Sequence, residues 1–330
     1  MTDKILKMGP HDVGGEKSSA LDTKDYGMSY WEKFSNGLRI VISAKGIITL
    51  DELRLTAERL GDNYFKMDYF SRNGQALVDA CLNKELIIKS ELEIKKLKVR
   101  ENFSIPIIAL PDTESIIHLH DGKPHTHEGT DFQEDETGEG PPNYFFDMLA
   151  IAEILSEKKL IKMDNIHSKI EQFDNEFPAR GILVITKAWM DKDFREFLIN
   201  DAKNAIESIG IHLETFADII CMPQTNKIHN MVVCTLCSCY PRALLGMPPS
   251  WYKSRTYRSR VVYEPRKVLE EFGTYISKSV EVKVHDSNAD MRYLILPQRP
   301  KGTDGWTKDQ LSKLISRDHM VGVRIPDDVV

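Results

Sequence analysis

Apolar positions recur at helical spacing through most of the first hundred residues. WEKFSNGLRIVISAKG (31 to 46) predicts a helix closed by its last glycine. Thr49 followed by Glu52 has the spacing of a capping box, which opens a second helix through Leu53, Ala57 and Leu60, with Gly61 as its stop. NGQALVDACLNKELI (73 to 87) is a third amphipathic stretch.

The periodicity then disappears. From 99 to 142 the chain includes HLHDGKPHTHEGTDFQEDETGEGPP, with four of its ten histidines between His118 and His127. Such a tract has too little apolar surface to build a core, so it predicts a solvated linker, with transient metal binding by the histidines as the alternative. Helical spacing resumes at Asn143 in NYFFDMLAIAEILSEKKLI. It continues through DNIHSKIEQF and DKDFREFLINDAKNAIESIG, the last stopping at Gly210. A short run, Met231 to Val233, predicts an extended segment. Pro265 can start the helix PRKVLEEFG, VEVKVHD alternates with period two, and MRYLILP is a short apolar run; the latter two are expected to pair as strands. Thr307 and Gln310 form another capping box before a final helix. No internal repeat is visible. The expected fold class is α+β: a helical module at 1–98, a linker at 99–142 and a layered α/β module at 143–330.

Composition narrows the partners. A hydrophobic fraction of 41% and a charged fraction of 28% are those of an ordinary globular protein. The net charge of −6 gives no electrostatic reason to expect nucleic acid or an anionic membrane as a partner. No apolar run approaches the roughly 20 residues of a membrane span. The N-terminal MTDKILKMGPHDVGG lacks the apolar centre of a signal peptide, so a cytoplasmic location is expected, where thiols stay reduced.

That matters because three of the five cysteines fall in CTLCSCY, at Cys234, Cys237 and Cys239. Cys81 and Cys221 stand apart and read as buried thiols. A structural zinc site would need a fourth ligand; no second cysteine pair exists, although His229 is close in sequence. A redox Cys-x-x-Cys needs only two thiols and usually opens a helix. A third solution uses all three thiolates together with the backbone nitrogens of Ser238 and Cys239. Five donors would leave one position open for substrate on a trivalent cobalt or iron ion.

VCTLCSCYP, followed by GMPPSWYKSRTYRSRVVYEPRKVLEEFG, resembles the metal-binding loop of the nitrile hydratase family's α subunit. The resemblance runs from about 143 to the C-terminus and includes TKAWMDKDF and MRYLILPQRPKGTDGWTKDQL. GPHDVGGE and LDELRLTAERLG look like the N-terminal half of that family's β subunit. The resemblance therefore implies a fused chain, β N-terminal half and then α, joined by the His-rich tract.

The resemblance also implies roles. Cys234, Cys237 and Cys239 match the sulfur ligands, and Ser238 and Cys239 the amide ligands. Cys237 would be a sulfinic acid and Cys239 a sulfenic acid. Thr235 resembles the cobalt-type loop, where iron enzymes usually carry serine, so Co(III) is expected ahead of Fe(III). Arg54 matches an arginine that faces the oxidised sulfurs, and Tyr69 a pocket tyrosine that hydrogen-bonds toward the residue matching Ser238. The implied activity is hydration of a nitrile to its amide.

Three departures qualify it. The C-terminal half of the β subunit is missing, which implies a separate small subunit, a hetero-oligomer, and poor activity for this chain alone. Arg242 stands where many nitrile hydratases have tryptophan. That arginine, the GPHDVGGE start and the split β subunit resemble thiocyanate hydrolase, which converts thiocyanate to carbonyl sulfide and ammonia with cobalt. After Tyr69 the chain reads Phe70, Ser71, Arg72, Asn73, which implies a different pocket shape. A third reading, a non-enzymatic metal carrier or scaffold, follows from the β-like metal chaperones of the family.

Overall fold

The computed structural model describes residues 11–104, 118–120, 123–125, 141–213, 217–237, 239–288 and 290–329. Ser238 and most of the expected linker lie outside the described residues.

Local capping chemistry starts the N-terminal helices. Ser29 and Glu32 close a reciprocal box at the head of α1 (Tyr30–Ala44). α2 (Leu50–Glu58) opens on the expected Thr49–Glu52 box: the Thr49 N–H donates to Glu52 at 2.6 Å, and the Glu52 N–H to Thr49 Oγ1 at 3.2 Å. α3 (Tyr69–Asn83) starts before the expected residue 73 because the Asp68 carboxylate accepts from the N–H groups of Phe70 and Ser71 at 2.9 and 3.0 Å. α4 (Lys89–Ser104) runs past residue 98, and two short strands, β1 (His118–His120) and β2 (Lys123–His125), pair antiparallel within the His-rich tract.

α5 (Asn143–Glu157) and α6 (Met163–Glu171) follow, and a π-helical turn at Gln172–Glu176 leads into α7 (Phe177–Met190). The helical stretch expected from residue 191 is two helices, α8 (Lys192–Asn200) and α9 (Ala202–Glu207). Asp201 divides them, its carboxylate accepting from the Asn204 N–H at 3.2 Å as the cap of α9. Gly210, at φ +81°, ends this region as expected.

β3 (Asp218–Pro223) and β4 (Ile228–Val233) are followed by four short helices: α10 (Arg242–Leu245), α11 (Ser250–Lys253), α12 (Arg255–Tyr263) and α13 (Pro265–Glu271). Then come β5 (Glu281–Asp286), β6 (Met291–Leu296), α14 (Lys308–Ser312) behind the expected Thr307–Gln310 box, and α15 (Arg317–Val321). The expected pairing of VEVKVHD with MRYLILP does not form. β5 pairs parallel with β4, Val233 beside Asp286, and β6 pairs parallel with β3, Cys221 beside Leu294. Each strand takes a partner from across the intervening helices, and such crossovers give parallel neighbours. The fold is thus a mixed helical and sheet architecture.

Two apolar cores among the described residues hold it. Phe34, Leu38 and Leu77 of α1 and α3 pack with Phe145, Ile151 and Leu155 of α5. The other core surrounds the strands and includes Leu21 from the N-terminal segment. That segment lies along α12: the Gly15 N–H donates to the Ser259 carbonyl at 3.0 Å, and Arg260 joins the Ser19 carbonyl to Glu271, both at 2.9 Å.

Candidate metal centre

Parallel pairing brings the ends of β4 and β5 together, and the CTLCSC loop leaves from that end, the carboxyl edge where ligands gather in parallel sheets. Polar anchors fix the loop. Asp286 accepts from the Thr235 N–H at 3.0 Å and from Thr235 Oγ1 at 2.6 Å. Arg258, buried on α12, donates to the carbonyls of Cys234 at 3.2 Å and Thr235 at 2.7 Å. Tyr252 donates to the Cys239 carbonyl at 2.7 Å, and Tyr257 to the Val232 carbonyl at 2.6 Å.

The three sulfurs converge. Cys234 Sγ lies 3.4 Å from Cys237 Sγ, which lies 3.3 Å from Cys239 Sγ, and the Cys237 N–H donates to Cys234 Sγ at 3.2 Å. Two sulfurs about 2.3 Å from one ion stand about 3.3 Å apart at a right angle and about 3.8 Å apart at the tetrahedral angle. The two adjacent separations lie near the right-angle value, and all three sulfur atoms lie within 4.8 Å of one another, close enough to share one ion. The electrostatics also fit a cation. Burial pushes the Cys234 thiol well above its usual pKa, and hydrogen bonds to the other two sulfurs add to this. For Cys239 the hydrogen bond with Cys234 acts downward, but the Cys237 sulfur and burial outweigh it, leaving a pKa of about 11. Three adjacent thiolates need a multivalent positive charge between them. Cys81 and Cys221 lie elsewhere as buried thiols, each pushed up to about 12 by burial.

Arg54 comes to the cluster from α2. Its Nη2 lies 2.5 Å from Cys239 Sγ and 3.9 Å from Cys237 Sγ, while Nη1 stands 3.8 Å from Asp51. Burial works against its charge, yet the three sulfurs hold its pKa above the ordinary arginine value. Tyr69, the first residue of α3, lines the same cavity of about 770 Å³ as Cys237, Cys239 and Arg242. Its ring lies 5.5 Å from the Arg72 guanidinium and 5.4 Å from the Lys253 ammonium. Ser238 and any contact it makes with Tyr69 lie outside the described residues.

Arg39, Arg292 and Tyr64 at this cavity carried no recognised signal in the sequence, whereas Arg72 belongs to the segment expected to change the pocket's shape. Arg39 of α1 lines it beside Arg242, and its Nε is buried without a hydrogen-bond partner among the described residues. Burial lowers the Arg39 pKa, Tyr69 and Cys237 oppose that, and the Arg242 cation reinforces it. Arg72 is buried against Tyr64, 4.4 Å from its ring centroid, and Arg292 of β6 faces Cys239 electrostatically. Tyr64 donates to the Leu236 carbonyl at 3.4 Å. An arginine inside the apolar run LRIVI was the one available hint for Arg39; Arg292 was hidden because strand pairing decides where it points.

A family model described as nitrile hydratase, alpha chain, matches residues 144–324, and one described as nitrile hydratase beta subunit, N-terminal, matches residues 8–125. The nitrile hydratase subunit alpha of Rhodococcus sp is 43% identical over 176 residues, covering 53% of this chain and 88% of the relative. The cobalt-containing nitrile hydratase subunit alpha of Pseudonocardia thermophila is 44% identical over 176 residues, with 53% and 86% covered. Thiocyanate hydrolase subunit gamma of Thiobacillus thioparus is 35% identical over 189 residues, covering 54% of this chain and 78% of the relative. Among solved structures, an Fe-type nitrile hydratase double mutant from Comamonas testosteroni Ni1 superposes with a TM-score of 0.52 at 32% identity, covering 55% of this chain and 90% of that one. A recombinant thiocyanate hydrolase with partially modified cobalt centres superposes at 0.51 and 34% identity, covering 55% and 91%.

Proposed function

The chain belongs to the nitrile hydratase family, and from that premise we propose that it adds water across a C≡N bond, converting a small nitrile to its amide. The observation that carries this is the three-sulfur face of Cys234, Cys237 and Cys239 with Arg54 at its rim, opening into a cavity. A trivalent cobalt ion held there would supply Lewis acidity toward the substrate nitrogen. Cobalt is favoured over iron by Thr235 and by cobalt-containing relatives.

In this reading Cys237 and Cys239 are oxidised to sulfinic and sulfenic acids, and Arg54 balances their charge through a fork suited to sulfur-bound oxygens. Tyr69 and Ser238 orient the attacking oxygen and exchange its proton. Water contributes O–H to carbon and H to nitrogen, and tautomerisation yields the amide. Two family models in one chain support a fusion of a β-like N-terminal half with an α-like module. A separate small subunit resembling the β C-terminal half completes the cavity in a cytoplasmic hetero-oligomer, where Cys81 and Cys221 stay reduced.

Thiocyanate hydrolysis is a second reading, favoured by one observation: Arg39, Arg72 and Arg242 line the cavity in addition to the arginines facing the sulfurs. That much positive charge suits an anion more than a neutral nitrile. The test is one assay of cobalt-loaded protein, with and without a co-expressed small subunit, for amide from a small nitrile and ammonia from thiocyanate. Amide formation supports the first reading and ammonia release the second. Stoichiometric zinc, with neither product under any condition, returns the chain to a carrier or scaffold. Full turnover by the lone chain removes the separate subunit.

A further inference from the structure

The N-terminal segment touches the metal loop itself, at a place where the two sides fit closely. The Val13 N–H points to the Thr235 carbonyl at 3.5 Å, and Arg258 Nη2 bridges the Thr235 carbonyl at 2.7 Å and the His11 carbonyl at 3.1 Å. One buried guanidinium thus ties this segment to the loop that carries the thiols. Directly after Val13 sits Gly14, whose N–H donates to Asp12 Oδ1 at 3.1 Å. A Cβ built at Gly14 would lie 3.2 Å from Thr235 Cγ2, 3.3 Å from Asp12 Oδ1 and 3.4 Å from Thr235 Cβ. Thr235 cannot easily turn away, because Asp286 holds both its hydroxyl and its backbone N–H.

We infer that residues 11–15 act as a built-in strap on the metal loop, with Gly14 and the Thr235 methyl as a size-matched pair that sets the loop's geometry and its hold on the metal. A methyl added at 14 displaces Thr235 by a few tenths of an ångström, and the displacement passes to Cys234 beside it and through Leu236 to Cys237. Removing the Thr235 methyl while keeping the hydroxyl on Asp286 gives the space back. Gly14 and Thr235 are positioning residues here: neither is needed to touch the ion or the substrate.

The inference rests on reading the cysteine cluster as a metal centre, and the experiment separates the two. Full-length wild type, Gly14→Ala, Thr235→Ser and the double variant are produced with cobalt supplied. Cobalt per chain after chelator challenge, the visible sulfur-to-metal absorption band and the thermal midpoint are then measured. Gly14→Ala is expected to retain about threefold less cobalt or worse than wild type and to shift the band, whereas the double variant is expected to match Thr235→Ser alone in both, since touching residues show non-additive effects. Wild-type protein that binds no stoichiometric metal sinks the metal-centre reading. Wild type that binds cobalt, with Gly14→Ala changing only the thermal midpoint or the two substitutions acting additively, overturns the strap.

Discussion

Arg54 Nη2 lies 2.5 Å from Cys239 Sγ, although 185 positions separate the two residues in sequence. One is on a helix of the β-like half and the other on the loop of the α-like half, so the rim of the centre is assembled from both. Arg54→Ala is expected to lower turnover about 10- to 100-fold, the scale of one charge-assisted hydrogen bond. Arg54→Lys should not restore it, because a single ammonium cannot reproduce the guanidinium fork. Steady-state rates normalised to bound cobalt check this; a lysine variant at wild-type rate would show that charge alone suffices.

Arg39 and Arg242 face one cavity from α1 and α10. If the substrate is an anion, Arg39→Met and Arg242→Ala each lower kcat/KM for thiocyanate about 10-fold or more and leave a neutral nitrile within about threefold. Competition assays with both substrates decide it. Equal losses on the two would mean these arginines shape the wall without reading charge.

Bound cobalt should depend on each of the three clustered thiols and on neither of the others. Cys234→Ala, Cys237→Ala or Cys239→Ala is expected to lower metal per chain about 10-fold or more, since each removes a direct ligand. Cys81→Ala is the control: its thiol is buried in the other core, so the cost is about 1 kcal/mol of stability with no loss of metal. Elemental analysis beside a urea titration separates the outcomes. Retention of cobalt by the Cys234 variant would contradict the three-sulfur site.

The parts of this molecule legible in sequence are those fixed within a few residues. Thr49 and Glu52 cap α2 through contacts three residues apart, and three cysteines within six residues need no tertiary information to look like one ligand set. The pairing of β5 with β4 was not legible, because alternation identifies a strand but not its partner, and helices separate the two. The same limit hid Arg292 and Arg258: each is polar in an apolar setting, and only the fold shows that one faces Cys239 and the other holds the loop carbonyls. Arg54 and Tyr69 were reached through family resemblance, since an arginine on a helix carries no local mark of what it faces 185 residues away.

His319 connects acidity to stability at the far end of the second core. Its Nδ1 accepts the Ser316 N–H at 2.9 Å, closing the capping box of α15, and burial lowers its pKa to about 4. The folded state therefore keeps this ring neutral, while the unfolded chain begins to bind a proton near the ordinary value of about 6.5. Stability from this group is full above that value and is lost as pH falls from about 6.5 to about 4. At pH 5 the loss from His319 is about 1–2 kcal/mol, because each unit between the two pKa values contributes about 1.4 kcal/mol and the ring is only partly buried. His229 and His285 are also lowered by burial and act in the same direction, so the comparison must isolate one ring. His319→Gln does so: glutamine can accept the same Ser316 N–H from the third helical position but does not titrate. Urea midpoints at pH 7 and pH 5 should fall farther apart in wild type than in His319→Gln. Equal spacing in the two proteins would mean that the folded chain accommodates the protonated ring and that the cap does not depend on its neutral form.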